Sequence, residues 1–178
     1  CGSLRSIVSD ANIDAAEVSG RDVYQWATAL QSETPLKEPV AVSESDIAFL
    51  MYTSGSTDRP KGVMLTHCNI VSNVRSVVDY LALTSSDSVL AILPFSYIYG
   101  LSTLLTHASV GGRVVLDNQA MYPNAMLEHL EAAAVTGFAG VPATYAALLR
   151  RSSVCRRRFP SLRYVAQAGN PMPITLQK

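Results

Sequence analysis

Ser54, Gly55, Ser56 and Thr57 stand in one short stretch with a single lysine, Lys61, just beyond them. Small residues leave their backbone N–H groups uncovered. Together with three hydroxyls, these groups suit the oxygens of a phosphate chain, and Lys61 supplies a mobile positive charge. The Walker loop, GxxxxGK[ST], is the first comparison. It fails at two fixed positions, because Pro60 precedes the lysine and Gly62 follows it. A Ser/Gly surface turn with a solvated lysine is the plain structural reading of such a stretch, so its setting must decide. One residue works against phosphate. Asp58 lies within the stretch, and a carboxylate about 4 Å from a phosphate costs on the order of 4 kcal/mol at an intermediate dielectric.

Other reactive side chains form weaker constellations. Cys1, Cys68 and Cys155 are an odd, widely spaced set without a CxxC pair, which argues against a disulfide framework and a zinc site and for a reducing, cytoplasmic setting. His107 and His129 have no metal-spaced partner and read as core or surface residues, and no metal ligands are assigned. His67 reads as structural, at a helix start. Glu128 and Glu131, one helical turn apart, read as solvent-facing, with Met126, Leu127 and Leu130 turned to the core. Arg150, Arg151 and Arg156 to Arg158 read as a solvated helix end favoured by the dipole. Cys155 among them is incidental.

The elements that must position the loop follow from pattern. The chain has 178 residues, 48% hydrophobic and 16% charged, the profile of an ordinary globular domain. Its 14 basic residues balance 14 acidic ones, so no long-range field favours nucleic acid or an anionic membrane. No apolar run approaches the roughly 18 residues of a membrane span. Beginning at Cys1 and stopping at Lys178, the chain reads as a piece of something longer.

"LRSIVS" predicts a short strand and "RDVYQWATAL" a helix, followed by a polar link through "QSETPLKEPV". "DIAFLMYTS" is a continuous apolar run, the pattern of a strand buried on both faces, with the Ser/Gly loop at its carboxyl end. "VML" predicts a short strand, and Thr66 an N-cap for a helix from His67 to Leu81. The stripe of that helix, Ile70, Val71, Val74, Val77, Val78 and Leu81, should pack on the sheet. Strands at "SVLAILP", "GRVVL", "GFAG" and "RYVAQA" alternate with helices in "YGLSTLLTHASV", from Pro123, and from Pro142 to Arg151. Strict alternation implies an α/β fold with a mostly parallel sheet flanked by helices.

Within this frame "MYTSGSTDRPKGVMLTHCNI" resembles the signature of the adenylate-forming superfamily of acyl-CoA synthetases, coumarate-CoA ligases, luciferase and peptide-synthetase adenylation domains. The wording there is Tyr-Thr-Ser-Gly-[Ser/Thr]-Thr-Gly-x-Pro-Lys-Gly-Val, then Thr-His, matched at nearly every position from Tyr52 to His67. "LPFSYIYGL" and "GVPATYAALLR" with "PSLRYVAQAGNPMP" resemble two later segments in the same order. The resemblance runs from about Asp46 to the end. It implies part of the N-terminal domain of an AMP-forming acyl-CoA synthetase, a ligase. Such an enzyme uses ATP and Mg2+ to turn a small carboxylic acid into an acyl-adenylate with release of pyrophosphate, then passes the acyl group to coenzyme A.

By the same resemblance, Thr53, Ser54, Gly55, Ser56, Thr57 and Lys61 meet the β- and γ-phosphates. Gly169, Asn170 and Pro171 form the turn against adenine. Tyr97 lines the carboxylate and thiol passage, and Tyr97, Ile98, Ser102, Val141, Thr144 and Tyr145 wall the acyl pocket. Two departures stand out. Asp58 replaces a family glycine and is expected to be tolerated while lowering nucleotide affinity; Asn170 replaces a glycine or alanine. The family's magnesium-meeting Tyr-Gly-x-Thr-Glu segment, ribose aspartate, hinge and C-terminal lysine are absent. The chain therefore reads as one incomplete domain, 1–178, with 1–45 a peripheral lead-in and 46–178 the core, lacking the C-terminal catalytic domain and inactive alone. An adenylation domain that loads a carrier protein, or a non-catalytic nucleotide-binding fragment, are the alternatives.

Overall fold

The computed structural model describes residues 6–9, 22–25, 38, 40–53 and 61–173, with the backbone alone at 6–9, 22–25 and 53. The chain forms two compact units, Cys1–Val42 and Ser43–Lys178.

In the first unit, β1 (Ser6–Ser9) pairs in parallel with β2 (Asp22–Gln25), Ser6 opposite Asp22 and Ser9 opposite Gln25. "LRSIVS" holds its expected strand. The helix expected over "RDVYQWATAL" is corrected at Asp22–Gln25, where Val23 and Tyr24, a β-branched and an aromatic residue, sit in a strand whose neighbour lies outside any local window. Residues 26–30 of that segment lie outside the described residues.

In the second unit, β3 (Ile47–Thr53) and β4 (Lys61–Thr66) form an antiparallel pair that brings Thr53 opposite Lys61. The strand expected to be buried on both faces is instead half open, with Ile47 54%, Leu50 58% and Tyr52 72% exposed. Its loop therefore ends a hairpin and does not sit at the carboxyl end of a parallel strand. The spacing explains this, since a parallel return needs a crossover of a dozen or more residues and 54–60 is too short for one.

Helix α1 (His67–Leu81) begins where expected. The Thr66 hydroxyl accepts from the Asn69 N–H at 3.2 Å, and Asn69 Oδ1 accepts from the Thr66 N–H at 3.1 Å, a reciprocal cap. Its apolar stripe, with Val74 buried, lies chiefly against the next helix and the β3–β4 hairpin. Packing on the main sheet was expected; a second helix takes that place.

The main sheet is wholly parallel, ordered β6–β5–β7–β8, from β5 (Ser88–Ala91), β6 (Arg113–Leu116), β7 (Gly137–Gly140) and β8 (Tyr164–Gln167). Between them run α2 (Ile98–Ser109), α3 (Pro123–Ala132) and α4 (Pro142–Arg151), then a 3₁₀ turn at Val154–Arg156. Pro123 and Pro142 open their helices, where a missing N–H costs nothing. Leu90 and Phe138, side by side on β5 and β7, point into a core with Met126, Leu127 and Leu130 of α3 and Leu148 of α4. Strand residues alternate in direction. Gly137 and Tyr164, partners on β7 and β8, thus face the other way, where the Tyr164 hydroxyl reaches His107 of α2 at 2.7 Å. Helix α2 covers one face, and α3 and α4 cover the other.

The amino ends of three strands are tied by one polar network. Asp87, 5% exposed, precedes β5; Thr136 precedes β7; Arg163 precedes β8. The Asp87 carboxylate accepts from the Thr84 N–H at 2.8 Å, the Thr136 hydroxyl at 2.9 Å and Arg163 Nε at 3.0 Å. Burial alone would raise its pKa, but these bonds together hold it below the usual carboxylate value. The expected lesser features also have places. Leu127 and Leu130 are core, while Glu128 and Glu131 pair with Arg157, at 3.4 Å and 2.8 Å. His129 meets Asp117 at 2.6 Å. Among the described residues, no helix is long and apolar enough to cross a membrane, and no three His, Cys, Asp or Glu side chains gather to hold a metal ion.

Candidate functional site

At the opposite, carboxyl ends of the strands, three connections converge. After β5 the chain turns through Pro94, whose carbonyl accepts from the Tyr97 N–H at 3.0 Å, and Tyr97 caps α2 in an extended conformation. After β7, Val141 caps α4 in the same way, and its carbonyl accepts from the Thr144 N–H at 2.9 Å. After β8, the chain enters a turn with Gly169 at φ +102°. A side chain is strained at that angle, and one built there would stand 3.5 Å from both Tyr97 Oη and Val141 Cγ1. Tyr97, Val141 and Gly169, far apart in the chain, thus meet at this end of the sheet.

The turn is held on both sides. The Ala168 N–H reaches the Gly140 carbonyl at 3.4 Å, and Gln167 Nε2 donates to the Asn170 carbonyl at 2.7 Å. Asn170 and Pro171 are exposed beside it.

The remaining expected pocket residues separate. Ile98 is exposed at the start of α2. The Ser102 hydroxyl donates to Asn73 Oδ1 at 3.1 Å and so faces α1. Thr144 and Tyr145 pack over Gly140. The Tyr145 hydroxyl donates to the Ala166 carbonyl at 2.6 Å, pinning α4 to β8, and burial pushes its pKa up. Its ring meets Phe138 edge-on at 5.9 Å and lines an apolar cavity of about 350 Å³ with Leu148, Val165 and Met172. Neither Tyr97 nor Val141 lines that cavity. Two groups near this end escaped sequence reasoning. Tyr99 has a buried hydroxyl without a hydrogen-bond partner, its pKa pushed up to about 12 by burial; its only signal was its place beside Tyr97. Gln167 was readable as the last strand residue before an Ala-Gly-Asn-Pro turn.

Of the expected phosphate residues, Thr53 ends β3 opposite Lys61 at the start of β4, and Lys61 is exposed. Ser54, Gly55, Ser56 and Thr57, with Asp58, lie outside the described residues. Thr66 and His67 sit at the junction of β4 and α1, where the His67 N–H donates to the Asp46 carbonyl at 3.0 Å.

Known proteins share this sequence and arrangement. The profile of the AMP-binding enzyme family matches residues 3–178. The 4-coumarate–CoA ligase 3 of Arabidopsis thaliana is 33% identical over 147 residues, 80% of this chain and 26% of that protein. A feruloyl-CoA synthase of an Amycolatopsis species is 33% identical over 162 residues, 91% of this chain and 33% of that protein. An O-succinylbenzoate coenzyme A synthetase of Bacillus subtilis, solved in complex with AMP, superposes with TM-score 0.79 at 28% identity, over 96% of this chain and 35% of its own. ATP-bound MatB from Rhodopseudomonas palustris superposes with TM-score 0.79 at 26% identity, over 91% of this chain and 33% of its own. The chain thus spans between a quarter and a third of the curated relatives named here.

Proposed function

This chain belongs to the AMP-binding enzyme family, and we propose that the protein carrying it activates a carboxylic acid with ATP. The product would be an acyl-adenylate, with pyrophosphate leaving, and the acyl group would pass to the thiol of coenzyme A. The observation that carries this reading is the meeting of Tyr97, Val141 and Gly169 at one end of the sheet. They come from three connections at the carboxyl ends of parallel strands, where α/β sheets bind their ligands.

The residues fit a nucleotide. Gly169, Asn170 and Pro171 are exposed and Gly169 carries no side chain, so a flat base can approach the main chain of the three. Thr53 to Thr57 and Lys61 supply hydroxyls, N–H groups and a cation for the departing pyrophosphate, whose growing charge they neutralise. Tyr97 borders the path by which the carboxylate enters and the thiol later arrives. Ile98 at the start of α2, with Val141 and Thr144 at the start of α4, would wall the acyl group, and Ser102 and Tyr145 hold the helices that carry the wall. Mg2+ would accompany the phosphates and offset their charge. Adenylation here is mostly a matter of alignment, which a rigid frame of strand ends supplies.

The test is pyrophosphate exchange by the full-length protein with ATP and a panel of hydroxycinnamic, fatty and dicarboxylic acids. Coenzyme A and a phosphopantetheinylated carrier protein would then be offered as acceptors. Acid-dependent exchange and an acyl-CoA product support the reading. Transfer to the carrier alone would reassign the acceptor, and absence of both exchange and ATP binding would overturn the reading.

A further inference from the structure

Gln167 is the last residue of β8, in register with Gly140, the last of β7. Its side chain does not extend away from the turn it precedes. It folds forward, and its Nε2 donates to the Asn170 carbonyl at 2.7 Å, closing a loop of main chain around Gly169. Within that loop Gly169 holds φ +102°. Glycine has the widest choice of backbone angles, so its conformation is held by what surrounds it and not by its own preference. On the strand side, the surroundings are the Ala168 to Gly140 bond at 3.4 Å and the Tyr145 to Ala166 bond at 2.6 Å. On the outer side is the Gln167 amide. The 3.5 Å spacing of the Gly169 Cβ position from Tyr97 Oη therefore depends on where Asn170 is held.

We propose that Gln167 is a positioning residue for the nucleotide: its amide fixes the Gly169–Pro171 main chain at the distance from Tyr97 that an adenylate needs. The assignment rests on the function proposed above. It differs from a merely stabilising role in what it predicts. The bond is solvent-exposed and contributes little to the stability of the whole unit, whereas a small shift of the turn changes the fit of a bound base.

The experiment uses the full-length protein with Gln167→Met, which keeps the length and removes the donor, and Gln167→His, whose Nε2 restores a donor at a similar reach. ATP affinity is read by calorimetry, and KM for ATP, KM for the acid, kcat and Tm are read alongside. Gln167→Met should weaken ATP binding and raise its KM by about five- to tenfold. KM for the acid should stay within about twofold and Tm within about 2 °C. Gln167→His should return ATP affinity to within about twofold of the parent. ATP binding unchanged in Gln167→Met, or Tm and affinity falling together in both variants, would overturn the assignment while leaving the proposed function standing. A parent protein that binds no ATP would overturn both.

Discussion

The Tyr164 hydroxyl and His107 Nε2 stand 2.7 Å apart inside the α2 face of the sheet, joining β8 to α2. The other ring nitrogen, Nδ1, lies 2.9 Å from the Thr103 carbonyl. A carbonyl only accepts, so Nδ1 carries the proton and Nε2 accepts from tyrosine. This neutral ring is satisfied on both sides. Protonation would make Nε2 a donor, so the Tyr164 hydroxyl would have to turn and accept from it, and a charge would be placed on a ring that is 1% exposed.

Stability should therefore depend on pH through His107. Burial lowers its pKa below the usual 6.5, against upward pulls from the Thr103 carbonyl and Asp87, with Arg163 adding to the lowering. The unfolded chain then binds the proton more readily than the folded one. This contribution is complete above about 6.5 and is lost as pH falls from there to the folded value. One proton limits the slope to about 1.4 kcal/mol per pH unit, roughly 3–5 °C in Tm for a unit of this size. Thermal melts of the parent and His107→Gln across pH 5 to 8 would check it. The variant should lose the slope below neutrality, and equal slopes would refute the assignment.

Gly137 is needed because Tyr164 lies across it. A Cβ there would stand 2.1 Å from Tyr164 Cζ, closer than any real contact. Gly137→Ala must push the ring aside and break the bond to His107, at a cost of about 2–3 kcal/mol. Tyr164→Phe, which removes only the hydroxyl, should cost about 1–2 kcal/mol. Urea titrations of the two variants would test the order, and a Gly137→Ala variant no less stable than Tyr164→Phe would contradict it.

Asp58 carries the charge argument. If it faces the phosphates, Asp58→Gly in the full-length protein should lower KM for ATP at least about tenfold, a modest part of the 4 kcal/mol estimated for an uncompensated pair. Lys61→Ala should move KM for ATP the other way by a similar factor. An unchanged or raised KM in Asp58→Gly would show that the carboxylate lies away from the nucleotide.

Gly169→Val should obstruct the proposed nucleotide turn. The substitution forces a β-branched residue to φ +102° and sends methyl groups toward Tyr97 and Val141. Initial rates should show kcat/KM for ATP and for the acid falling at least about tenfold while circular dichroism stays native. Activity within twofold of the parent would mean that the ligands pass elsewhere.

Some of this molecule could be read directly from the chain. Thr66 announces the start of α1, Pro123 and Pro142 open α3 and α4, and apolar runs mark β5 to β8. Each signal acts within about four residues, so it survives whatever the rest of the protein does. The motif segments placed Tyr97, Val141 and Gly169 as candidates, also from local wording.

Other features needed tertiary structure. The direction of β3 was misread because a continuous apolar run looks the same in a parallel sheet and in a half-open hairpin. The strand at Asp22–Gln25 was misread because its partner, β1, lies beyond any helical window. Asp87 and Arg163, 76 residues apart, carry no mutual signal in the sequence. Their pairing depends on the lateral order β6–β5–β7–β8, which buried side-chain packing selects. The order of elements and the identity of the reactive segments thus belonged to the sequence, because caps, turns and periodicity are local. The tertiary structure decided which strand ends meet, and so brought Tyr97, Val141 and Gly169 together while Ser102 and Tyr145 bond to Asn73 and Ala166.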